Sequence, residues 1–224
     1  MTTALYDKGR NHFAEGDILW KASGGSTIRA FLVTSGYTPN LATDEFLSAI
    51  SAGNRMGNSG STTRGNAPQL TLSDPVAGVC DASDTTVTAV PASVAYNAVV
   101  IFRDDGSADA SSQLIAYIDG IYQVEVAVDA AAHATTVYIE RLPAACATVT
   151  TFTKVSGSGP STFATSVAGS AGDNSLTVSD IGATGITHGA IYSFPATTTG
   201  LPVTSNGADI VITWDNGSNK IFKL

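Results

Sequence analysis

The chain has 224 residues, only 13% of them charged, and its formal net charge is −8. That length is enough to bury a core in one large or two small domains. The acidic balance, with no local cluster of Lys or Arg, excludes a nucleic-acid binder, because such a protein needs a basic surface to displace counterions from phosphates.

The predicted elements begin with a short helix and two strands. Residues 5–15 are expected to form the helix, and Gly16 is expected to end it, since glycine readily adopts the left-handed conformation found at helix ends. Residues 17–20 are predicted to be the first strand. The second strand is predicted at residues 27–34, where apolar side chains alternate between two faces.

A second helix and a long loop are expected next. The helix is predicted over residues 43–50, because acidic residues occupy its first turn and Phe46, Leu47 and Ile50 lie at helical spacing. Residues 52–67 are rich in Gly, Asn, Ser and Thr. We expect them to form a long exposed loop that contacts a partner or moves.

Short strands separated by turn residues follow. They are predicted at residues 70–72, 78–81, 85–90, 97–102 and 114–119. Their spacing of roughly eight to twelve residues is typical of a sandwich or barrel. The predicted fold class is therefore all-β, with a β-sandwich or barrel-like domain and one or two short helices.

The character of the sequence changes after residue 119. Residues 120–198 are rich in Ala, Thr and Gly, and they contain a weak internal repeat in which Val137 corresponds to Leu176. Each repeat has a small-residue turn, an alternating strand and a further strand near residues 150–152 or 190–192. Two interpretations stay open, namely two halves of one small β domain or two unrelated hairpins.

The chain closes with a predicted hairpin. Residues 208–214 alternate between apolar and polar side chains, Asn216 and Gly217 supply a turn, and residues 220–224 end on apolar side chains that we expect to dock. The expected partner of this hairpin is the strand at 114–119. These features predict one β domain of residues 1–119 and 199–224, interrupted by a second small β domain at 120–198.

No pattern of residues indicates a catalytic, cofactor or metal site. His12, His133 and His188 are predicted to be surface or loop residues, because none has a partner at a telling spacing. The three aspartates within residues 104–109 are consistent with Ca²⁺ or with a polar turn, and we favour the turn because the terminal bidentate Glu of an EF-hand loop is missing. Neither a nucleophile elbow nor a pair of catalytic carboxylates is found, so we do not expect an enzyme.

The cysteines and tryptophans are assigned to the interior. Cys80 and Cys146 lack metal-ligand spacing and are predicted to be two buried reduced thiols, with a disulfide as the alternative. Trp20 and Trp214 are predicted to be core anchors, with an interface role as the alternative. No apolar run has the length of a signal peptide or a membrane span, so we predict neither standard secretion nor membrane association.

Several short segments carry a resemblance to a known family. The first group is LYDKGR at 5–10, GDI at 16–18 and EFLS at 45–48; the second is LIAYID at 114–119 and, from residue 199, TGLPVT, WDNG and NKIFKL. They resemble a family of small virion structural proteins encoded by tailed bacteriophages, whose shorter members run almost directly from LIAYID to the TGLPVT ending. The block at 120–198 departs from that pattern and resembles short β modules of phage tail and capsid proteins.

The resemblance implies a non-enzymatic virion part without a cofactor. We expect a capsid decoration or cement protein on the outside of the head, assembled in the bacterial host cytoplasm. It would bridge subunits of the major capsid protein and act as a homo-oligomer, a trimer or a dimer. The expected contact regions are the N-terminal segment to Trp20 and residues 52–67. The alternative is a tail or fibre component that binds host-surface glycans.

Overall fold

The computed structural model describes residues 3–119, 121–128, 134–138, 146–159, 162–169, 175–179, 191–195, 201, 203–214 and 221–224. The chain forms two compact units. The first, which we call the core unit, is Thr3–Asp119 with Pro202–Leu224, and the second unit is Gly120–Leu201 with Met1–Thr2. Within the described ranges both units consist mostly of antiparallel strands, with one α-helix in the core unit, which is compatible with an all-β class.

Short strands make up most of the regular structure along the chain. The elements are, in chain order, β1 (Thr3–Leu5), α1 (Asp7–Glu15), β2 (Ile28–Val33), β3 (Arg55–Met56), β4 (Val79–Cys80), β5 (Thr85–Val87), β6 (Ala95–Tyr96), β7 (Ala98–Arg103), β8 (Leu114–Asp119), β9 (Ile121–Val128), β10 (Ala134–Tyr138), β11 (Cys146–Ser156), β12 (Thr162–Gly169), β13 (Ser175–Ser179), β14 (Ile191–Pro195), β15 (Val203–Thr204), β16 (Ile210–Ile212) and β17 (Phe222–Lys223). Single 3-10 turns lie at Leu47–Ala49, Ala52–Asn54, Asn58–Gly60 and Arg64–Asn66.

A five-stranded antiparallel sheet is the centre of the core unit. Its strand order is β1–β8–β7–β2–β3, and β2 pairs with β7 along its whole length, from Ile28 opposite Arg103 to Val33 opposite Ala98. Residues 98–102 of β7 are all buried. Since successive side chains of a strand point to opposite faces, the sheet is covered on both faces at its centre.

The helix α1 forms within the predicted segment but begins later than predicted, at Asp7, because Leu5 belongs to β1 and pairs with β8. It ends at Gly16, whose φ of 82° is left-handed, and this confirms the predicted helix end. The helix lies against β8 because Gly9 has no side chain. A Cβ atom at Gly9 would lie 2.5 Å from the carbonyl oxygen of Leu114.

Three predicted elements are wrong, because backbone donors bond elsewhere. Residues 70–72 form no strand, since the N–H of Leu70 donates to Ile28 O at 2.8 Å and Leu72 makes only an isolated bridge with Ala82. Residues 17–20 form no strand, since the N–H groups of Asp17 and Ile18 both donate to the carbonyl of His12 and close the helix end. Residues 43–50 form no α-helix. The N–H of Leu47 donates to Ser112 O at 2.8 Å, and only the 3-10 turn Leu47–Ala49 remains.

The predicted closing hairpin is also wrong. The strands after residue 202 pair with earlier strands in reverse order, β15 with β6, β16 with β5 and β17 with β4. The expected partner β8 has no free edge, because β1 and β7 occupy its two sides. The predicted docking of the C-terminal residues is confirmed, since Phe222 is buried and the N–H of Leu224 donates to Gly78 O at 2.9 Å.

The second unit is a ring of pairings among six strands. Their order is β10–β13–β12–β11–β14–β9, and β9 also pairs with β10, so each strand has a partner on both sides. Val137 lies directly opposite its repeat equivalent Leu176. In the same repeat, Thr153 corresponds to Tyr192 and Lys154 corresponds to Ser193. The structure pairs Thr153 with Ser193 and Lys154 with Tyr192, so the two pairs are repeat equivalents of each other. Strand pairing therefore follows the sequence repeat, which favours two halves of one domain over unrelated hairpins.

Candidate functional site

Three arginines and three aspartates from distant parts of the sequence meet in the core unit. Arg29 donates from Nε to Oδ2 of Asp104 at 2.7 Å. Arg64 contacts the same Asp104 and lies 3.1 Å from Oδ1 of Asp105. We call these residues, with Arg55 and Asp109, the charge network. The side chain of Asp104 is only 7% exposed, so this carboxylate depends on its guanidinium partners to offset the cost of its burial.

Arg55 brings the segment at 52–67 into the interior. Its guanidinium group is buried, donates to the carbonyl oxygens of Thr62 and Leu47, and contacts the carboxylate of Asp109. It also lies 5.4 Å from the centre of the Phe31 ring, a cation–π distance. The prediction of an exposed loop at 52–67 is therefore wrong for the residues around Arg55, because this side chain anchors them.

Asp105 is held ionised by hydroxyl and amide donors. Hydrogen bonds from the Ser111 hydroxyl and from the Ser107 N–H lower the pKa of Asp105 to about 2. The Ser112 hydroxyl also donates to Oδ1 of Asp105 at 3.1 Å. A calcium ion at residues 104–109 would have to displace these donors and the guanidinium groups that already neutralise the carboxylates. The geometry therefore favours the polar turn over the calcium alternative.

A chain of hydrogen bonds joins two tyrosines to a carboxylate. Tyr37 donates to Oδ2 of Asp44 at 2.8 Å, and its own oxygen lies 2.8 Å from the hydroxyl of Tyr6. Since the Tyr37 proton is used on Asp44, Tyr6 must be the donor in the second bond. Burial raises the pKa of both tyrosines. Both tyrosine hydroxyl groups therefore stay protonated at neutral pH. Their hydrogen bonds tie the start of α1 to residues 37–44.

His12, the one histidine among the described residues, lies close to three carboxylates. Its Nδ1 atom lies 3.0 Å from Oδ2 of Asp17 and 3.8 Å from Oε2 of Glu15, and its Nε2 atom lies 3.1 Å from Oε1 of Glu45. The prediction that His12 has no partner is wrong. The spacing in sequence did not indicate Glu45, which approaches from another segment. His133 and His188 lie outside the described residues.

The tryptophans and Cys80 lie in the interior. Trp20 donates from Nε1 to Asp81 O at 3.1 Å and packs edge-on against Phe222, with ring centres 5.1 Å apart. Trp20 and Trp214 are both buried, which confirms the predicted core role. Cys80 is buried and free, as the prediction of a reduced thiol expects, and the side chain of Cys146 lies outside the described residues. Burial raises the pKa of the Cys80 thiol to about 12.

Sequence reasoning missed the charge network because its members are far apart in the chain. Arg29 and Asp104 are 75 positions apart, and Arg55 and Asp109 are 54 apart. One signal was present, namely an arginine on a strand face that also carries Phe31 and Val33. A charged residue on an otherwise apolar strand face needs a partner, but the sequence does not say which one.

We compared the chain with family models, with curated proteins and with solved structures. No family model matches the sequence, and no curated protein or solved structure gives a significant match. In the part of the chain that the structure describes, we find no helix with the length and apolar character needed to cross a membrane.

Proposed function

We propose that the chain is a non-enzymatic structural protein of a tailed-phage virion, a capsid decoration or cement protein. In this role it binds the outside of the head as a homo-oligomer, a trimer or dimer, and bridges subunits of the major capsid protein. The support comes from the phage-like sequence segments. Apart from the block at 120–198 and residues 199–201, they belong to the core unit. The proposal includes a sandwich-like or barrel-like core unit, supported by the burial of β7 on both faces.

The observation that carries the proposal is a set of exposed apolar side chains around one ladder. Val76 is 75% exposed and Leu224 54% exposed, and both flank the pairing of β4 with β17. Leu19 is also exposed and adjoins Trp20, whose ring packs on Phe222 of β17. We call Leu19, Val76 and Leu224 the apolar rim. Exposed apolar side chains next to a fixed ladder are suited to burial against another protein.

The charge network supports a scaffold role rather than chemistry. Its partly buried charges are paired with one another, and the neighbouring Ser112 hydroxyl lies within hydrogen-bond distance of Asp105 Oδ1 and Ala108 O. A catalytic carboxylate needs an unsatisfied position that faces substrate. Paired charges instead hold β2, β3 and the segment after β7 in one arrangement. A rigid unit of this kind loses little entropy when it binds a shell.

A binding assay with matched variants tests the proposal. Purified protein is sedimented with heads that were assembled without it, taken from the phage whose genome encodes the chain, and separately with host cells. We expect binding to heads and an increase in their resistance to heat. Replacing Val76 and Leu224 with serine should weaken binding at least about tenfold, because apolar area no longer leaves water. Val211→Ser is the control, since Val211 is also exposed but lies on β16.

The rival proposal is a tail or fibre component that binds host-surface glycans. It is favoured by the second unit, in which the chain departs from the phage-like pattern and forms a separate set of paired strands. Binding to cells but not to heads would replace the cement proposal with this one. Binding to neither would leave both proposals without support and indicate a part that joins only during assembly.

A further inference from the structure

The end of α1 collects three potential metal ligands. His12 and Glu15 are three positions apart and share a face of the helix. The left-handed Gly16 then turns the chain back, so that the N–H of Asp17 donates to the carbonyl of His12 at 2.9 Å. As a result one ligand atom from each of His12, Glu15 and Asp17 lies within 4.8 Å of the other two.

The spacing of these atoms suits a small divalent cation. In a tetrahedral zinc site, bonds of about 2.0–2.2 Å place neighbouring ligand atoms about 3.3–3.5 Å apart. The distances from Nδ1 of His12 are 3.0 Å to Asp17 and 3.8 Å to Glu15, on either side of that range. The two carboxylates are largely exposed, which leaves room for water as a further ligand.

Glu45 orients the imidazole ring for metal binding. Its Oε1 atom lies 3.1 Å from Nε2 of His12, and a carboxylate oxygen accepts hydrogen bonds. A neutral imidazole that binds a metal through Nδ1 carries its one N–H on Nε2, where it would donate to Glu45. With the proton on Nε2, the Nδ1 lone pair faces the carboxylates of Asp17 and Glu15. Lone pairs that face one another at hydrogen-bond distance need a proton or a cation between them. Metal-binding histidines usually donate their other N–H to a carboxylate in this way.

The charge around the ring is not balanced by other side chains. Glu15, Asp17 and Glu45 surround one imidazole, and among the described residues His12 is their only ion-pair partner. Even a fully protonated ring would leave two negative charges without a partner. A divalent cation on Nδ1 would neutralise the carboxylates that face it. The site differs from a general acidic cluster because a nearly buried histidine, only 12% exposed, supplies a nitrogen ligand.

We propose that His12, Glu15 and Asp17 bind one divalent transition-metal ion, with Zn²⁺ as the best match to a ligand set of one nitrogen and two carboxylate oxygens. Glu45 is a positioning residue that fixes the ring. The ion fastens the end of α1 to the segment that leads to Trp20. This inference goes beyond the virion role and does not depend on it.

Calorimetric titration of the full chain with Zn²⁺, after treatment with EDTA and desalting, tests the site. Asp17→Asn and Glu15→Gln should each weaken zinc binding at least about tenfold, and Glu45→Gln about 10- to 100-fold. Asp7→Asn is the matched control, because Asp7 is an exposed acid of the same helix that pairs with Arg10 instead. Circular dichroism without metal checks that each variant is folded.

A second readout locates the ion without a variant. In ¹⁵N-edited spectra of the histidine side chains, Zn²⁺ should shift the Nδ1 resonance of His12 and leave its Nε2–H in place. The proposal is overturned if the unaltered chain takes up no zinc, or if Asp17→Asn binds it as tightly as Asp7→Asn. It is equally overturned if zinc binds while the His12 resonances stay unchanged.

Discussion

Asp104, which directly follows β7, accepts a hydrogen bond of 2.7 Å from Nε of Arg29 on β2 and also contacts Arg64. One nearly buried carboxylate thus contacts two guanidinium groups from different segments. Removing a partner from a buried ion pair leaves a charge without compensation, which typically costs more than the pair itself contributes. We therefore expect a single substitution in the charge network to cause most of the loss of stability, and a second substitution to add little to it.

Asp104→Asn should lower the free energy of unfolding by about 3 kcal/mol, because Arg29 and Arg64 lose their shared carboxylate. Urea denaturation followed by circular dichroism measures the change. The exposed pair of Asp7 and Arg10 is the control, and Asp7→Asn should change stability by less than about 0.5 kcal/mol. Equal effects of the two substitutions would show that burial does not strengthen the network.

Gly9→Ala should destabilise the core unit by about 1–3 kcal/mol, although alanine favours helices by about 1 kcal/mol over glycine. The reason is the 2.5 Å approach of a new Cβ atom to Leu114 O, which would push α1 away from β8. Gly65→Ala is the matched control, since nothing lies within 4 Å of a Cβ atom there. Thermal unfolding measures both; a stabilised Gly9→Ala variant would refute the close packing of α1 on β8.

Phe222→Ala should lower the free energy of unfolding by about 3–5 kcal/mol, because the ring is buried against Trp20 and Phe13. Tryptophan fluorescence should change together with stability, since the Trp20 ring would lose its edge-on contact. Leu224→Ala is the control at the same end of the chain and should have an effect below about 0.5 kcal/mol. A similar loss for both variants would contradict the docking of β17.

Acid should weaken the fold through Asp105. Its pKa is about 2 in the folded chain, against an ordinary value of 3.8, so between these values the unfolded chain binds more protons. The stability that Asp105 provides is therefore complete above about pH 4 and is lost as the pH falls towards 2. Free energies of unfolding measured between about pH 5 and 2 should fall less steeply in Asp105→Asn.

The Ser111 hydroxyl offers a separate check on that prediction. It is the main cause of the lowered pKa of Asp105, so Ser111→Ala should raise this pKa and reduce the loss of stability between pH 4 and 2. A steeper fall with pH in Ser111→Ala would contradict the assignment. The same slope in Asp105→Asn and the unaltered chain would show that other carboxylates cause the acid sensitivity.

Local patterns predicted the elements that depend on neighbouring residues. The helix end at Gly16, the strands β2 and β8 and the burial of Trp20 and Trp214 follow from left-handed glycine, alternation and side-chain size. The repeat in residues 120–198 was also visible in the sequence. Its strand pairing supports one domain of two halves. Within the candidate sites, only the preference for a polar turn over calcium at 104–109 could be argued in advance.

The sequence by itself determined that the chain forms strands, where several of them lie and that Ile221 and Phe222 near its end must be buried. These properties depend on periodicity and on the removal of apolar side chains from water. Only the tertiary structure decided which strands pair, which charges meet and that residues 43–50 form no α-helix. Those outcomes depend on partners tens of residues away, such as Ser112 for Leu47 and Asp104 for Arg29. A polar group that is removed from water forms a hydrogen bond with a partner that the fold brings within reach. Sequence spacing does not identify that partner.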